Sequence, residues 1–129
     1  MGHFHVPTRM TGPTGLSETV DLLVDTGATL IVLPRALAER LELSSTETCS
    51  VELAGGVEES WPVAEIRVVL EGRSAPMLCL ISEGGTPLLG VVALESLRLA
   101  VDPVGRRLVP IKAFAMPSKP RAVGVPVLA

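Results

Sequence analysis

The run from Val20 to Pro34 constrains this chain most, because it is an apolar stretch broken in its middle by one carboxylate, one hydroxyl and one glycine. Leu22, Leu23 and Val24 read as a strand buried on both faces, and Leu30 to Leu33 as a second apolar run a few residues later. Asp25 therefore falls on a tight turn at the end of a buried strand. A carboxylate in that place is costly unless it is hydrogen-bonded or has a chemical role. Gly27 supplies the backbone freedom such a turn needs, and the Thr26 hydroxyl can bond back to neighbouring main chain.

Several function classes drop out early. A chain of 129 residues with 47% hydrophobic and 19% charged residues is expected to form one packed domain and is neither disordered nor fibrous. The net charge of -3 and the three aromatics, Phe4, Trp61 and Phe114, leave neither an electrostatic footprint nor stacking platforms for nucleic acid. Every apolar stretch is interrupted by Asp, Glu or Arg well before the length of a membrane span. Met1-Gly2-His3-Phe4-His5 has no basic start or apolar core, and Val6 stands where a myristoylation motif wants Ser or Thr, so a cytoplasmic chain is the expectation.

Neither a metal nor a cofactor is expected. Cys49 and Cys79 are too few for a disulfide scaffold and lack metal-site spacing, and Cys79, within Met77 to Ile81, reads as a small core residue. A cysteine nucleophile is disfavoured because the only histidines, His3 and His5, stand at the extreme N-terminus. These two would share one face of a strand, but no third ligand lies within sequence reach, so an ordinary strand face is preferred over a metal site.

Taken in order, Gly2 to Met10 reads as a strand, the turn residues Thr11 to Gly15 reverse the chain, and Glu18 to Val24 returns as the hairpin partner that delivers Asp25. Pro34 to Leu41 carries proline at a first helical position, and Leu33, Leu37 and Leu41 recur at four-residue spacing, predicting a short helix. Thr48 to Ala54 and Val57 to Val63 read as a hairpin around Gly55-Gly56, with Pro62 limiting the ladder. Ala64 to Leu70 and Ala75 to Ile81 read as two further strands. Glu83 to Pro87 has glycines but no Walker pattern, so phosphate binding is not expected. Pro87-Leu88-Leu89-Gly90 is followed by a helix-like Val91 to Leu97 and a closing hairpin, Leu99 to Pro103 with Arg107 to Pro110. Residues 111–129 hold Pro117, Pro120 and Pro126 among small residues and read as an arm, extended or interfacial.

Asp25-Thr26-Gly27-Ala28-Thr29, with its apolar flanks and the downstream Leu88-Leu89-Gly90, helix, strand, turn, strand section, resembles the retropepsin-like (retroviral-type) aspartic protease family over about residues 3 to 110. The resemblance implies an all-β, mainly antiparallel, single-domain acid protease fold with one or two short helices. It implies Asp25, Thr26 and Gly27 as the catalytic turn, with Asp25 the acid or base and the Thr26 hydroxyl bracing two turns across an axis. It also implies that Gly27 and Ala28 lie against a peptide or protein substrate, and that Ala54, Gly55, Gly56 and Val57 touch it from above as a flap. From the residues alone, a plain surface hairpin stays open there. Metal-free peptide hydrolysis needs one group to take a proton from water and another to give one, and two carboxylates sharing a proton do both. The chain has one Asp-Thr-Gly, and neither Asp21 nor Asp102 has that context, so the second half is expected from a homodimer. Retroviral members place an acidic residue soon after the turn and an arginine just after the later glycine, a pair that braces the dimer. Thr29-Leu30 and Val91-Val92 occupy those places here, so the brace must differ.

Three readings follow: a homodimeric aspartic endopeptidase, which the intact Asp-Thr-Gly favours; a retropepsin-like module that binds peptides or dimerises with little turnover; and a small β-rich domain with a chance motif.

Overall fold

The turn chemistry between residues 11 and 17 does reverse the chain. Strand β1 (His5–Thr11) pairs antiparallel with β2 (Ser17–Val24) in an unbroken register from His5 opposite Leu23 to Thr11 opposite Ser17. The computed structural model describes residues 3–112. Most of the predicted arm, 113–129, lies outside the described residues.

Beyond β2 come β3 (Ile31–Pro34), α1 (Arg35–Arg40), β4 (Ser45–Glu52), β5 (Glu58–Leu70) and β6 (Arg73–Ser82). The chain closes with β7 (Leu88–Leu89), α2 (Val91–Leu97), β8 (Leu99–Asp102) and β9 (Arg107–Pro110). Seven strands form one sheet in the order β1-β2-β7-β3-β6-β5-β4, and β1 also pairs with β5, which curls the sheet onto itself. Pairings are antiparallel except β2 with β7 and β3 with β6, so the architecture is the expected all-β one with two short helices.

Two boundaries differ from the sequence reading. Pro34 ends β3 in extended conformation and forms the N-cap of α1 instead of its first turn. The returning arm 57–63 and the strand 64–70 are one continuous strand of 13 residues. That strand changes partners where the break was expected: Glu58 to Val63 runs beside β4, whereas Val63 to Leu70 runs beside β6. Pro62 is tolerated opposite Thr48 because the second neighbour, β6, reaches only as far as Val63.

The apolar run after Asp25 is explained by two cores, one on each side of the sheet. Alternation along β3 sends Ile31 and Leu33 into the main core, with Val6, Met10, Leu22, Ile66 and Leu97, and sends Val32 to a smaller cluster with Val63 and Leu80. Leu33, Leu37 and Leu41 are all buried in the main core, as their spacing predicts, and Cys79 joins them there with no exposure. Each such side chain contributes about 1.5–3 kcal/mol of burial. The smaller cluster, extended by Leu30, Cys49, Val51, Trp61 and Leu88, forms much of the wall of an open cleft beside the Asp25 turn.

Candidate active site

Strand β2 ends at Val24, buried in the core, and the next residue turns outward. The Asp25 amide donates to Leu89 O at 3.0 Å, the Ala28 amide to Asp25 O at 3.1 Å, and the Gly27 amide to Asp25 Oδ1 at 2.9 Å. The last bond fixes the carboxylate relative to its own turn. A Cβ on Gly27 would stand 3.1 Å from that oxygen, so glycine leaves room beside the acid. Thr26 is exposed, and among the described residues its hydroxyl has no hydrogen-bond partner.

The turn is bolted from below. Strand β7 is inserted between β2 and β3, parallel to the first and antiparallel to the second, so residues 25–30 pass over its end. Gly90 lies directly beneath, with Leu30 O and Ala28 O at 2.5 and 2.7 Å from where its Cβ would be. The first amides of α2 complete the join: Val91 donates to Ala28 O and Val92 to Thr29 O, both at 2.9 Å. A helix start has unpaired N–H groups to give, and these carbonyls receive them. Arg73, at the start of β6, holds the other end of α2 by donating to Leu97 O at 3.1 Å and Arg98 O at 3.2 Å.

Above the turn, β4 and β5 project as a hairpin. Leu53 accepts from the Gly56 amide at 3.0 Å, and Gly55 and Gly56 have φ of 91° and 86°, values that side-chain-bearing residues resist. Between turn and hairpin lies an open cleft of about 720 Å³. Asp25, Gly27 and Ala28 form its floor, with Thr29, Leu30, Val32, Leu80 and Leu88, and Cys49 to Ala54 and Trp61 form its roof. Of the residues expected to touch substrate, Gly27, Ala28 and Ala54 line this cleft, while Gly55, Gly56 and Val57 stand at the exposed hairpin tip beyond it. The sequence reading missed the roof and side walls. Their signal was present, since Cys49 and Val51 alternate along β4 and pack with Trp61 into the smaller cluster.

The other carboxylates have structural duties. Asp102 accepts from the amides of Val104 and Gly105 and from Arg107, and the Gly105 bond foremost holds its carboxyl below the usual range. Asp21 is exposed on β2. His3 and His5 are exposed, and among the described residues no group of three His, Cys, Asp or Glu could hold a metal. No helix among them is long and apolar enough to cross a membrane.

An acid-bearing turn crossed over a second apolar-apolar-glycine segment, facing a β-hairpin across a cleft, defines the retropepsin-like aspartic protease fold. Two solved structures share it. The EIAV protease complexed with the inhibitor HBY-793 matches with a TM-score of 0.62 and 19% identity, over 84% of this chain and 93% of that one. The protease of simian foamy virus (mac), determined in solution, matches with a TM-score of 0.52 and 20% identity, over 70% of this chain and 91% of that one. No curated protein matches the sequence significantly. Residues 17–96 match the family described as "gag-polyprotein putative aspartyl protease", and the chain belongs to that family.

Proposed function

We propose that this chain is an aspartic endopeptidase whose active site is completed by a second copy of itself. The observation that carries the proposal is Asp25, half-buried at the floor of a peptide-sized cleft and held by a turn whose Thr26 hydroxyl has no hydrogen-bond partner among the described residues. A two-fold axis beside the turn supplies the second Asp25 and gives each Thr26 an acceptor across the axis. Two carboxylates a few ångströms apart cannot both ionise, so the pair holds one proton. The ionised carboxylate takes a proton from water as its oxygen attacks the scissile carbonyl. The protonated carboxyl gives its proton to the carbonyl oxygen. Collapse of the tetrahedral intermediate then returns a proton to the leaving amine, and one water has been added across the bond.

The extended substrate, a peptide or protein and neither nucleic acid nor membrane, lies between floor and hairpin, with Ala54 to Val57 closing over it. Cleavage of a mixed peptide library between about pH 4 and 7, where a coupled dyad carries a single proton, tests the proposal. Asp25→Asn should lose at least about a hundredfold in rate. Equal cleavage by both proteins refutes it, as does cleavage by neither at concentrations where sedimentation shows a dimer; the second outcome favours a binding module.

A further inference from the structure

Strand β5 sets a carboxylate on the cleft side of the hairpin. Glu59 and Trp61 are two residues apart on that strand and so share a face. Their partners across the ladder are Val51 and Cys49, both in the cleft lining. Glu52 and Glu58, which pair with each other one step further along the register, alternate to the opposite side. Trp61 Nε1 donates to Glu59 Oε1 at 2.8 Å, which fixes the carboxylate against a ring that itself lines the cleft. The ring is anchored in turn by packing on Val32, Val63 and Leu80.

The pair has unspent capacity of a particular kind. An indole has one donor, and here Glu59 takes it, so the ring offers the cleft only apolar surface and its π system. A carboxylate has about four acceptor positions, of which the indole fills one. Among the described residues Glu59 forms no salt bridge, and residues 44–64 contain no lysine or arginine. An apolar ring that ends at an uncompensated anion complements a side chain with a long methylene stem and a cationic end. A purely apolar side chain would cover the ring and leave the anion unpaired, and an acidic one would be repelled.

We propose that Glu59 and Trp61 form a subsite for one basic side chain of the substrate, lysine or arginine, with its stem on the indole and its cation on the carboxylate. The proposal rests on reading the cleft as the peptide site, and it names what that site selects. Asp25 lines the same cleft, whose volume of about 720 Å³ makes it roughly 11 Å across, and extended chain rises about 3.3 Å per residue. The basic residue therefore falls within about three positions of the scissile bond. In a two-fold dimer the pair occurs twice, once on each side of that bond.

The probe is an apolar octapeptide in which one lysine, or one norleucine of similar stem without the charge, is walked through every position. At the preferred position lysine should exceed norleucine by about tenfold in kcat/KM, and by a similar factor in affinity for the Asp25→Asn chain, read by fluorescence anisotropy of labelled peptide. Glu59→Gln keeps an acceptor for the indole and removes the charge, so the preference should fall to about twofold or less. Glu59→Lys should favour glutamate at that position instead. Glu58→Gln removes the same charge from the opposite face and should keep the preference. The preference should also shrink as salt rises from about 0.05 to 0.5 M. Equal affinity for the lysine and norleucine peptides at every position overturns the proposal, and so does a preference that Glu58→Gln lowers as far as Glu59→Gln, which would make it a property of the hairpin's overall charge. Cleavage without a lysine preference removes the subsite alone, and binding with the preference but without cleavage keeps the subsite and removes the enzyme. If neither peptide binds, both readings fall.

Discussion

Replacing Gly90 by alanine tests the join beneath the Asp25 turn. Its φ of -95° and ψ of -179° are open to any residue, so the effect comes from contact alone. The new methyl would stand 2.5 Å from Leu30 O and 2.7 Å from Ala28 O, both main chain, where real contacts do not fall below 3.0 Å. The turn and β7 must therefore part by about 0.5 Å or more, a shift that overpacking usually imposes at about 1–3 kcal/mol. The parting also strains the bonds from Val91 to Ala28 O and from Val92 to Thr29 O. Each contributes about 0.5–1.5 kcal/mol, which brings the expected destabilisation to about 2–6 kcal/mol. Asp25 rides on the same turn, and displacements of about 0.5–1 Å at a reacting group cost roughly 10- to 100-fold in rate. Equilibrium urea unfolding and peptide cleavage measure the two effects. Gly84→Ala is the control, since its Cβ would meet nothing within 4 Å and its φ is not positive, and it should stay within about 0.5 kcal/mol of the parent. If Gly90→Ala matches Gly84→Ala in both stability and rate, the turn is not held by this contact.

The remaining predictions concern groups away from the acid. Burial pushes the Cys79 thiol up to about 11 from 9.0, so the unfolded chain ionises first as pH rises. Stability should therefore fall between pH 9 and 11, by up to about 2–3 kcal/mol, and Cys79→Ala should flatten that slope in urea unfolding. At pH 8 a thiol reagent should modify Cys49, which lines the cleft, and reach Cys79 only in denaturant. Arg73→Met removes both bonds to the end of α2 and should cost about 1–3 kcal/mol by thermal unfolding, with Arg73→Lys recovering part of it.

Much of the fold was legible because its signals are local. The turn at residues 11–16 and the Leu33, Leu37, Leu41 stripe follow from turn chemistry or spacing within a dozen residues, whereas the helix at 91–97 was expected from the likeness of the closing section to the family. The acid-bearing turn stood out for another reason: a carboxylate amid Leu22 to Leu33 has few structural excuses. What sequence could not convey was pairing between distant segments. Nothing within Leu88-Leu89-Gly90 says that it slides between β2 and β3, or that Gly90 supports carbonyls sixty residues earlier. The same limit split β5 in two, since proline and a change of neighbour at Val63 look alike when read along one chain. The cleft roof was missed because its alternation marks a buried face equally well whether a core or a ligand covers it.

The undivided β5 carries a mechanical consequence. Its first half is the outer limb of the hairpin over the acid, and its second half is gripped by β6 on one side and, from Arg67 to Val69, by β1 on the other. The hairpin is thus a cantilever clamped at one end and loaded at the other. Backbone amides along this single strand should exchange with solvent on a steep gradient, fastest near Glu58 and slowest near Val68, and whatever stiffens the clamp will also stiffen the hairpin.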